Sequence, residues 1–226
     1  LGGSEFVISA RFSLPYSLWN GIDYANLGEL EKYQDDDGNP DPAKIEQEKF
    51  RWLEFYKVKF KGSWYTRLFD KLVLRTHTEF GFLGAFNNDR GVIPFDRFFL
   101  GGDGMSQYAM DGRETISLRG YPNQSLSTQD GSTIYNRFSL ELRYPITLKP
   151  AASIFGLTFL ETGQGYNSFR EFNPFNGKRS LGLGLRIFMP AFGLLGIDFG
   201  YGLDSVNDFD LTPNGWETHF VIGQQF

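Results

Sequence analysis

The sequence predicts an all-β fold, an antiparallel transmembrane β-barrel, from three observations. The chain of 226 residues contains 24 Phe, 11 Tyr, 4 Trp and 27 Gly, a composition typical of aromatic strands joined by turns. Apolar and polar residues alternate along eight segments, and long and short connections alternate between those segments. The longest apolar stretches, such as 190–197, fall far short of the roughly 18 residues that a membrane-spanning helix needs. A helical membrane protein is therefore excluded.

Period-2 alternation marks the strands, because successive side chains of a strand point to opposite faces. In the second segment, Val58 and Phe60 alternate with Lys57, Lys59 and Lys61. Both parities of segment 152–163 carry large apolar groups, which makes it the weakest of the set, and almost nothing in the chain reads as helix. The eight candidate strands lie near 5–19, 52–66, 71–86, 133–148, 152–163, 179–189, 193–204 and 216–226.

The connections favour a membrane barrel over a soluble β-sandwich, which would also show alternating strands. Outer-membrane barrels have short periplasmic turns and longer extracellular loops. The gaps here follow that rule, since they are in turn long (20–51), short (67–70), very long (87–132), short (149–151), long (164–178), short (190–192) and long (205–215). The last strand would then end at the periplasmic rim, and tryptophans near strand ends would sit at the membrane interfaces; these are Trp19, Trp52, Trp64 and Trp216.

Several kinds of chemistry find no support in the sequence. A net charge of −5 argues against a nucleic-acid partner, and two His without Cys leave little for metal or thiol chemistry. The acidic stretch 35–39 does not fit a calcium loop, because the required spacing puts Tyr33 at the first ligand position and Lys44 at the twelfth. His77 and His219 lie on separate strands without ligand-spaced partners, so we expect them to face the barrel interior.

The glycines do not indicate a nucleotide site. Gly182, Gly184 and the pair Gly101 and Gly102 do not precede a helix in a βαβ unit, so we interpret them as permissive backbone in curved strands and loops. No serine triad or paired-carboxylate site can be argued. We therefore expect no enzymatic activity, no metal and no cofactor.

The very long loop carries a more specific signal. The aromatic and glycine-rich segment 95–102 is followed by Leu118, Arg119, Gly120 and Tyr121. This arrangement resembles the BamA superfamily of outer-membrane assembly and secretion barrels. In that family, the tip of the sixth extracellular loop carries a Val/Leu-Arg-Gly-Phe/Tyr motif folded back into the lumen.

The resemblance extends over nearly the whole chain. Segment 135–145, with an inward Glu141 and a closing Pro145, is similar to the family's twelfth strand. Segment 159–163 is similar to the thirteenth, although Glu161 stands where the family usually has Asp. The eight segments resemble strands nine to sixteen of a sixteen-stranded barrel. The resemblance implies that 1–226 is the C-terminal part of a barrel domain, with 87–132 as its inward-folded extracellular loop, and that upstream strands and periplasmic domains lie outside this sequence.

A physical argument about Arg119 stands beside the resemblance. An arginine on a loop tip inside a narrow lumen loses hydration, which is tolerable only if carboxylates accept its forked donors. Glu141 and Glu161 lie on adjacent predicted strands and match the family acids that meet this arginine. Gly120 allows a tight turn, and Tyr121 offers a ring that can pack on the lumen wall.

The resemblance implies a function in assembly: folding and inserting nascent β-barrel proteins into the outer membrane of a Gram-negative bacterium, with accessory lipoproteins and membrane lipid as further partners. Incoming strands would pair at a lateral seam formed by the last strand, whose residues include Trp216, Phe220, Gly223 and Phe226. Two alternatives stay open, a polypeptide-secretion pore of the same superfamily and a passive porin or transporter.

Overall fold

Eight strands form one antiparallel sheet in a computed structural model that describes residues 2–104, 113–149, 151–190, 193–207 and 211–223. Their order in the sheet follows their order in the chain, so each hairpin neighbour in sequence is also a neighbour in space. All eight predicted strands are present, which confirms the predicted all-β class. The strands are β1 (Gly3–Phe12), β2 (Tyr56–Phe69), β3 (Leu72–Gly84), β6 (Ile134–Lys149), β7 (Ala152–Tyr166), β8 (Lys178–Met189), β9 (Gly193–Gly202) and β10 (Gly215–Gly223). The numbers 4 and 5 belong to two short strands, Phe98–Leu100 and Glu114–Ile116, which form a separate pair.

Long and short connections alternate along this sheet as the sequence predicts. The short ones span 70–71, 150–151 and 190–192, and the long ones span 13–55, 85–133, 167–177 and 203–214. In the part of the chain that the structure describes, β1 pairs with β2 alone and β10 pairs with β9 alone. The sheet is therefore open at both edges, as expected for a portion of a larger barrel.

The two faces of the sheet differ in chemistry. The inner face carries one cross-strand row with Arg75, Glu141, Phe159, Gly182 and Gly200. The outer face exposes large apolar side chains in a continuous band, a surface suited to lipid contact; among them are Trp64, Leu140, Leu160, Phe199, Trp216 and Phe220. The predicted parity of the strands is therefore confirmed.

Two elements near the start of the chain differ from the prediction. Strand β1 ends at Phe12 rather than at residue 19, because Pro15 has no N–H for a sheet ladder and a 3-10 turn follows at Tyr16–Leu18. Helix α1 (Pro42–Lys49) occupies a segment expected to lack helix, and the Asp41 side chain caps it by accepting from the backbone N–H groups of Ala43 and Lys44. Among the described residues, no helix is long and apolar enough to cross a membrane.

Strand β6 continues past the proline that was expected to close it. It runs to Lys149, and its register with β7 shifts between Pro145 and Thr147. A bulge of this kind accommodates the missing N–H of proline without ending the strand.

The acidic stretch 35–39 forms a turn held by one of its own carboxylates. Asp35 accepts hydrogen bonds from the backbone N–H groups of Asp37 (3.0 Å) and Asn39 (2.8 Å). This is the local bonding that aspartate commonly makes in turns. Within the described ranges, no group of three or more His, Asp or Glu side chains is arranged to hold a metal ion.

The described parts of segment 85–133, residues 85–104 and 113–133, are called the central loop below; they lie on the inner face and supply most of the buried apolar cluster between loop and sheet. The central loop contains two short strands, β4 (Phe98–Leu100) and β5 (Glu114–Ile116), paired in parallel. Phe98 packs edge-on against Tyr135 of β6, with ring centroids 4.6 Å apart. The core therefore lies between the central loop and the sheet, and the loop tip lies on the inner face of β6 to β10.

Candidate functional site: the loop tip and its carboxylates

The start of the loop tip, Leu118 to Tyr121, is hydrogen-bonded to an earlier part of the same loop. Leu118 and Gly102 exchange two backbone hydrogen bonds, each 3.1 Å long. Gly101 and Gly102 have φ angles of 115° and 83°, values that side chains other than glycine rarely adopt. The glycine pair predicted to be permissive backbone therefore has positive φ angles at the point where the loop pairs with Leu118, which is buried in the core.

Arg119 is buried among three carboxylates of the inner face. Its Nη2 donates to Glu141 Oε1 at 2.7 Å and to Glu161 Oε1 at 2.6 Å, and its Nη1 donates to Asp198 Oδ2 at 3.2 Å. Its backbone N–H donates to the second oxygen of Glu161 at 3.0 Å. The guanidinium carbon also lies 3.7 Å from the ring centroid of Phe159. The sequence-predicted contact with Glu141 and Glu161 is present, and the longer arm of Glu161 reaches Arg119 with both oxygens.

Each of these carboxylates also pairs with an arginine of the sheet. Arg137 Nη2 lies 2.6 Å from Glu161 Oε1, and Arg186 donates to both oxygens of Asp198 at 2.7 and 2.6 Å. Glu141 is bound by Arg143, whose Nε donates at 2.8 Å. The charges of the inner face are therefore balanced by strand residues before the tip is counted. The desolvation cost of Arg119 is offset without any carboxylate depending on it alone.

Burial and charge together define the state of the tip side chains. Burial disfavours the charged guanidinium, but Glu161 and Glu141 outweigh that effect and hold the pKa of Arg119 above its usual value. Burial raises the pKa of the Tyr121 hydroxyl to about 12. That hydroxyl therefore stays protonated, and it donates to the backbone carbonyl of Arg179 at 2.6 Å.

Gly120 fits against the sheet because the residues of β9 that face it, Gly200 and Gly202, are also glycines. Its φ is 88°, in the region that favours glycine, and a Cβ at this position would lie 2.9 Å from the backbone nitrogen of Gly202. A Cβ at Gly200 would in turn lie 2.6 Å from the backbone nitrogen of Gly120. The loop tip and β9 therefore approach each other backbone to backbone.

A second set of ion pairs fixes the central loop to β2, at the opposite side of the inner face. Lys57 and Lys59 each lie 2.7 Å from an oxygen of Glu114, and Lys57 also donates to the backbone carbonyl of Asp96 at 2.6 Å. Burial alone would raise the pKa of Glu114, but hydrogen bonds and charge from the two lysines hold that pKa below its usual value. The loop is thus anchored to the sheet at two separate places.

Sequence reasoning brought together the motif and two of its acids but missed other contacts. Asp198 and Phe159 were not identified as Arg119 contacts, and His219 was expected to face the interior without a named partner. The sequence did indicate which face of the sheet these residues occupy, because each lies at an inward-facing position in the alternation of its strand. Gly182 and Gly184 also have inward positions, where a Cβ would clash with the Phe159 ring and with Asp198, so they make room for site residues.

The predicted seam residues lie apart from this cluster. Trp216 and Phe220 are on the exposed outer face of β10, and Gly223 is the last residue of that strand. Trp19, Trp52 and Trp64 are exposed as well. Phe226 lies outside the described residues. The structure therefore places the loop motif inward and the described seam residues on the outer face and at the end of the same sheet.

Two comparisons with known proteins match this architecture, and a third gives nothing. A family model described as the Omp85 superfamily domain matches residues 45–226. A crystal structure of BamA from Haemophilus ducreyi, lacking POTRA domains 1-3, superposes with a TM-score of 0.59 at 18% sequence identity. The alignment covers 97% of this chain but 38% of that BamA chain, so this chain spans less than half of its structural relative. None of the curated proteins matches the chain.

The structural likeness identifies the fold, which corresponds to part of the BamA barrel. The family match is independent of it and covers most of the sequence, including the central loop, the arginine tip and all strands from β2 to β10. The chain therefore belongs to the Omp85 superfamily.

Proposed function

We propose that this chain forms the second half of an outer-membrane barrel that folds and inserts nascent β-barrel proteins in a Gram-negative bacterium. The family supports a function in outer-membrane protein insertion or translocation. In the proposed protein, upstream strands complete a sixteen-stranded barrel and periplasmic domains precede it. Its partners are nascent barrel proteins, accessory assembly lipoproteins and outer-membrane lipid.

The assembly function is supported by the family match over residues 45–226, with β10 as the last strand of the sheet. In the proposed full-length barrel β10 is paired with the strand that closes the barrel, and we place the seam at that junction, where opening would make one edge of β10 available to an incoming strand. An unpaired strand edge is a template for strand addition. In lipid each unsatisfied backbone group costs several kcal/mol, so an incoming strand is strongly favoured there. Substrate folding supplies the free energy, and no covalent chemistry is required.

The central loop weighs against a passive pore. It covers the inner face from β2, through Lys57 and Glu114, to β9, through Arg119 and Asp198. A barrel whose interior holds a packed and ion-paired loop has little room for free diffusion of solutes. Export of a polypeptide through the lumen would require this loop to leave its site.

The test is a disulfide that joins β10 to the strand that closes the barrel in the full-length protein. The present chain has no cysteine, so engineered thiols in this region are unambiguous. The full-length protein is reconstituted in lipid vesicles, and the folding of an added client barrel is followed by its resistance to protease. We expect the oxidised protein to lose most client folding and the reduced protein to regain it.

Two results would redirect the proposal. Folding of the client at the same rate with the disulfide closed would exclude lateral pairing at β10. Export of a partner polypeptide that continues while β10 is pinned, together with no effect on client barrels, would instead identify a secretion pore. A matched disulfide between β8 and β9 serves as the control, since those strands are already paired.

A further inference from the structure

Both backbone polar groups of Gly120 are bound by the last strand and the residue that precedes it. The Gly120 N–H donates to His219 Nε2 at 2.8 Å, and its carbonyl accepts from the side-chain amide of Asn214 at 2.9 Å. His219 is buried on the inner face of β10, and Asn214 lies one residue before that strand begins. Both the N–H and the carbonyl of Gly120 are therefore hydrogen-bonded to the short segment 214–219.

These two contacts are made by backbone groups of the loop tip and involve β10 and the residue before it, whereas the ion pairs of Arg119 are made by its side chain and involve other strands. Arg119 is bound to carboxylates of β6, β7 and β9, namely Glu141, Glu161 and Asp198. Among the hydrogen bonds of the described residues, those that link the motif directly to β10 and Asn214 are the two made by Gly120. Docking of the tip therefore reaches β10 through Gly120.

Three features set the geometry of these two contacts: the acceptor nitrogen of His219, the amide of Asn214 and the glycines of β9. Because His219 Nε2 accepts a hydrogen bond, the proton of the neutral ring lies on Nδ1. The glycines of β9 admit the tip, since a Cβ at Gly202 would lie 2.5 Å from the Gly120 carbonyl oxygen. Gly120 is thus contacted by the His219 ring nitrogen, by the Asn214 amide and by the glycine backbone of β9.

We propose that His219 and Asn214 are positioning residues that couple docking of the central loop tip to the position of β10. With the tip docked, β10 is held both by its ladder with β9 and by Gly120. With the tip released, β10 keeps its ladder with β9 and the ring contact of Trp216 with Tyr201, but loses the bond from Gly120. The inference deepens the proposed function, on which it rests only in identifying β10 as the seam strand.

Amide hydrogen exchange in the full-length protein, reconstituted in lipid, tests this coupling without any client. We expect His219→Ala and Asn214→Ala each to speed exchange of residues 216–223 by about five- to tenfold, the effect of losing one net hydrogen bond. Exchange in β2 and β3 should stay as in the unmodified protein. Thr218→Ala, on the outer face of the same strand, is the matched control and should change little.

A conservative variant separates positioning from mere packing. His219→Gln keeps an acceptor of similar reach and should restore slow exchange, whereas His219→Leu fills the space without an acceptor and should not. Unchanged exchange of β10 in the double variant of His219→Ala and Asn214→Ala would overturn the coupling. Equal acceleration in β2 and β3 would also overturn it, because it would show general loosening of the barrel.

Client folding, measured separately on the same variants, distinguishes this inference from the proposed function. Faster exchange of β10 with unchanged client folding would support the coupling and contradict the use of β10 as the assembly seam. Faster exchange together with altered client folding would support both. Failure of the disulfide test alone would contradict the proposed function and leave the exchange result standing.

Discussion

Replacement of Arg119 by alanine is the sharpest perturbation of the loop tip, because the structure fixes what is lost and what remains. The variant removes side-chain hydrogen bonds to Glu141, Glu161 and Asp198. A buried carboxylate left without a partner would cost about 3–5 kcal/mol. Each of these carboxylates, however, keeps an arginine of the sheet as partner. Because the acids keep these partners, we expect the net loss of docking free energy to equal about one charge-assisted hydrogen bond rather than three, about 1.5–3 kcal/mol.

Hydrogen exchange of the tip amides measures this change directly. In the native protein the Leu118 N–H is bonded to Gly102 and the Gly120 N–H to His219, so both amides exchange only when the tip opens. A loss of about 1.5–3 kcal/mol corresponds to exchange about 10- to 150-fold faster at these amides. Strands β6 to β9 should keep their protection, because their own ion pairs are intact.

Two outcomes would refute the reasoning about Arg119. Less than about a threefold change would show that the carboxylates contribute little to docking. Loss of protection throughout β6 to β9 would show that the sheet arginines do not balance the acids without the tip. Arg119→Lys should fall between the native protein and the alanine variant, since lysine supplies charge without a fork of donors. Arg113→Ala, at an exposed arginine of the same loop, is the control.

Two further predictions concern the fit of the loop and its second anchor. Gly200→Ala should expel the tip and open the central loop to protease, because its Cβ would lie 2.6 Å from the Gly120 nitrogen; Gly156→Ala, with its nearest neighbour 4.0 Å away, should not. The pKa of Glu114 is lower with the loop docked, so its contribution is complete above the usual carboxyl range and is lost as pH falls through the lowered value. We measure amide hydrogen exchange of the residues beside Glu114 and correct it for the intrinsic pH dependence of exchange. It should accelerate only below about pH 4. Glu114→Gln should abolish this acid-induced acceleration while Lys57 stays in place.

The fold could be predicted from the sequence because its signal is local. Alternation along each strand depends on neighbouring residues, and a shift of one residue would turn the apolar face of a strand into the interior. The predicted and observed limits of β8 differ by no more than one residue. Helix α1 was missed because its signal is weak: its stretch carries no apolar stripe, and Asp41 followed by Pro42 is the main mark of its start.

The candidate site could be predicted only in part, because its remaining contacts join residues far apart in sequence. The motif resemblance identified Arg119 with Glu141 and Glu161. Nothing local indicates that Asp198 lies beneath the same guanidinium, 79 residues further along the chain, or that His219 accepts from the loop backbone. The register of β9 against β10 places Asp198 beside His219, and the docked loop tip contacts both. Register is a property of the assembled sheet.

The two anchors of the central loop divide its release into separable steps. The anchor at β2 consists of the buried Lys57, the partly exposed Lys59 and the partly exposed carboxylate Glu114, so its carboxylate can be protonated from solvent. The anchor at the tip is a buried arginine whose carboxylates have other partners, so releasing it exposes no uncompensated charge on the sheet. A loop built only to seal the barrel would gain from making those acids depend on Arg119 alone. Because Arg137, Arg143 and Arg186 already pair with these acids, we expect withdrawal of the tip to leave the inner face electrostatically balanced and the sheet folded.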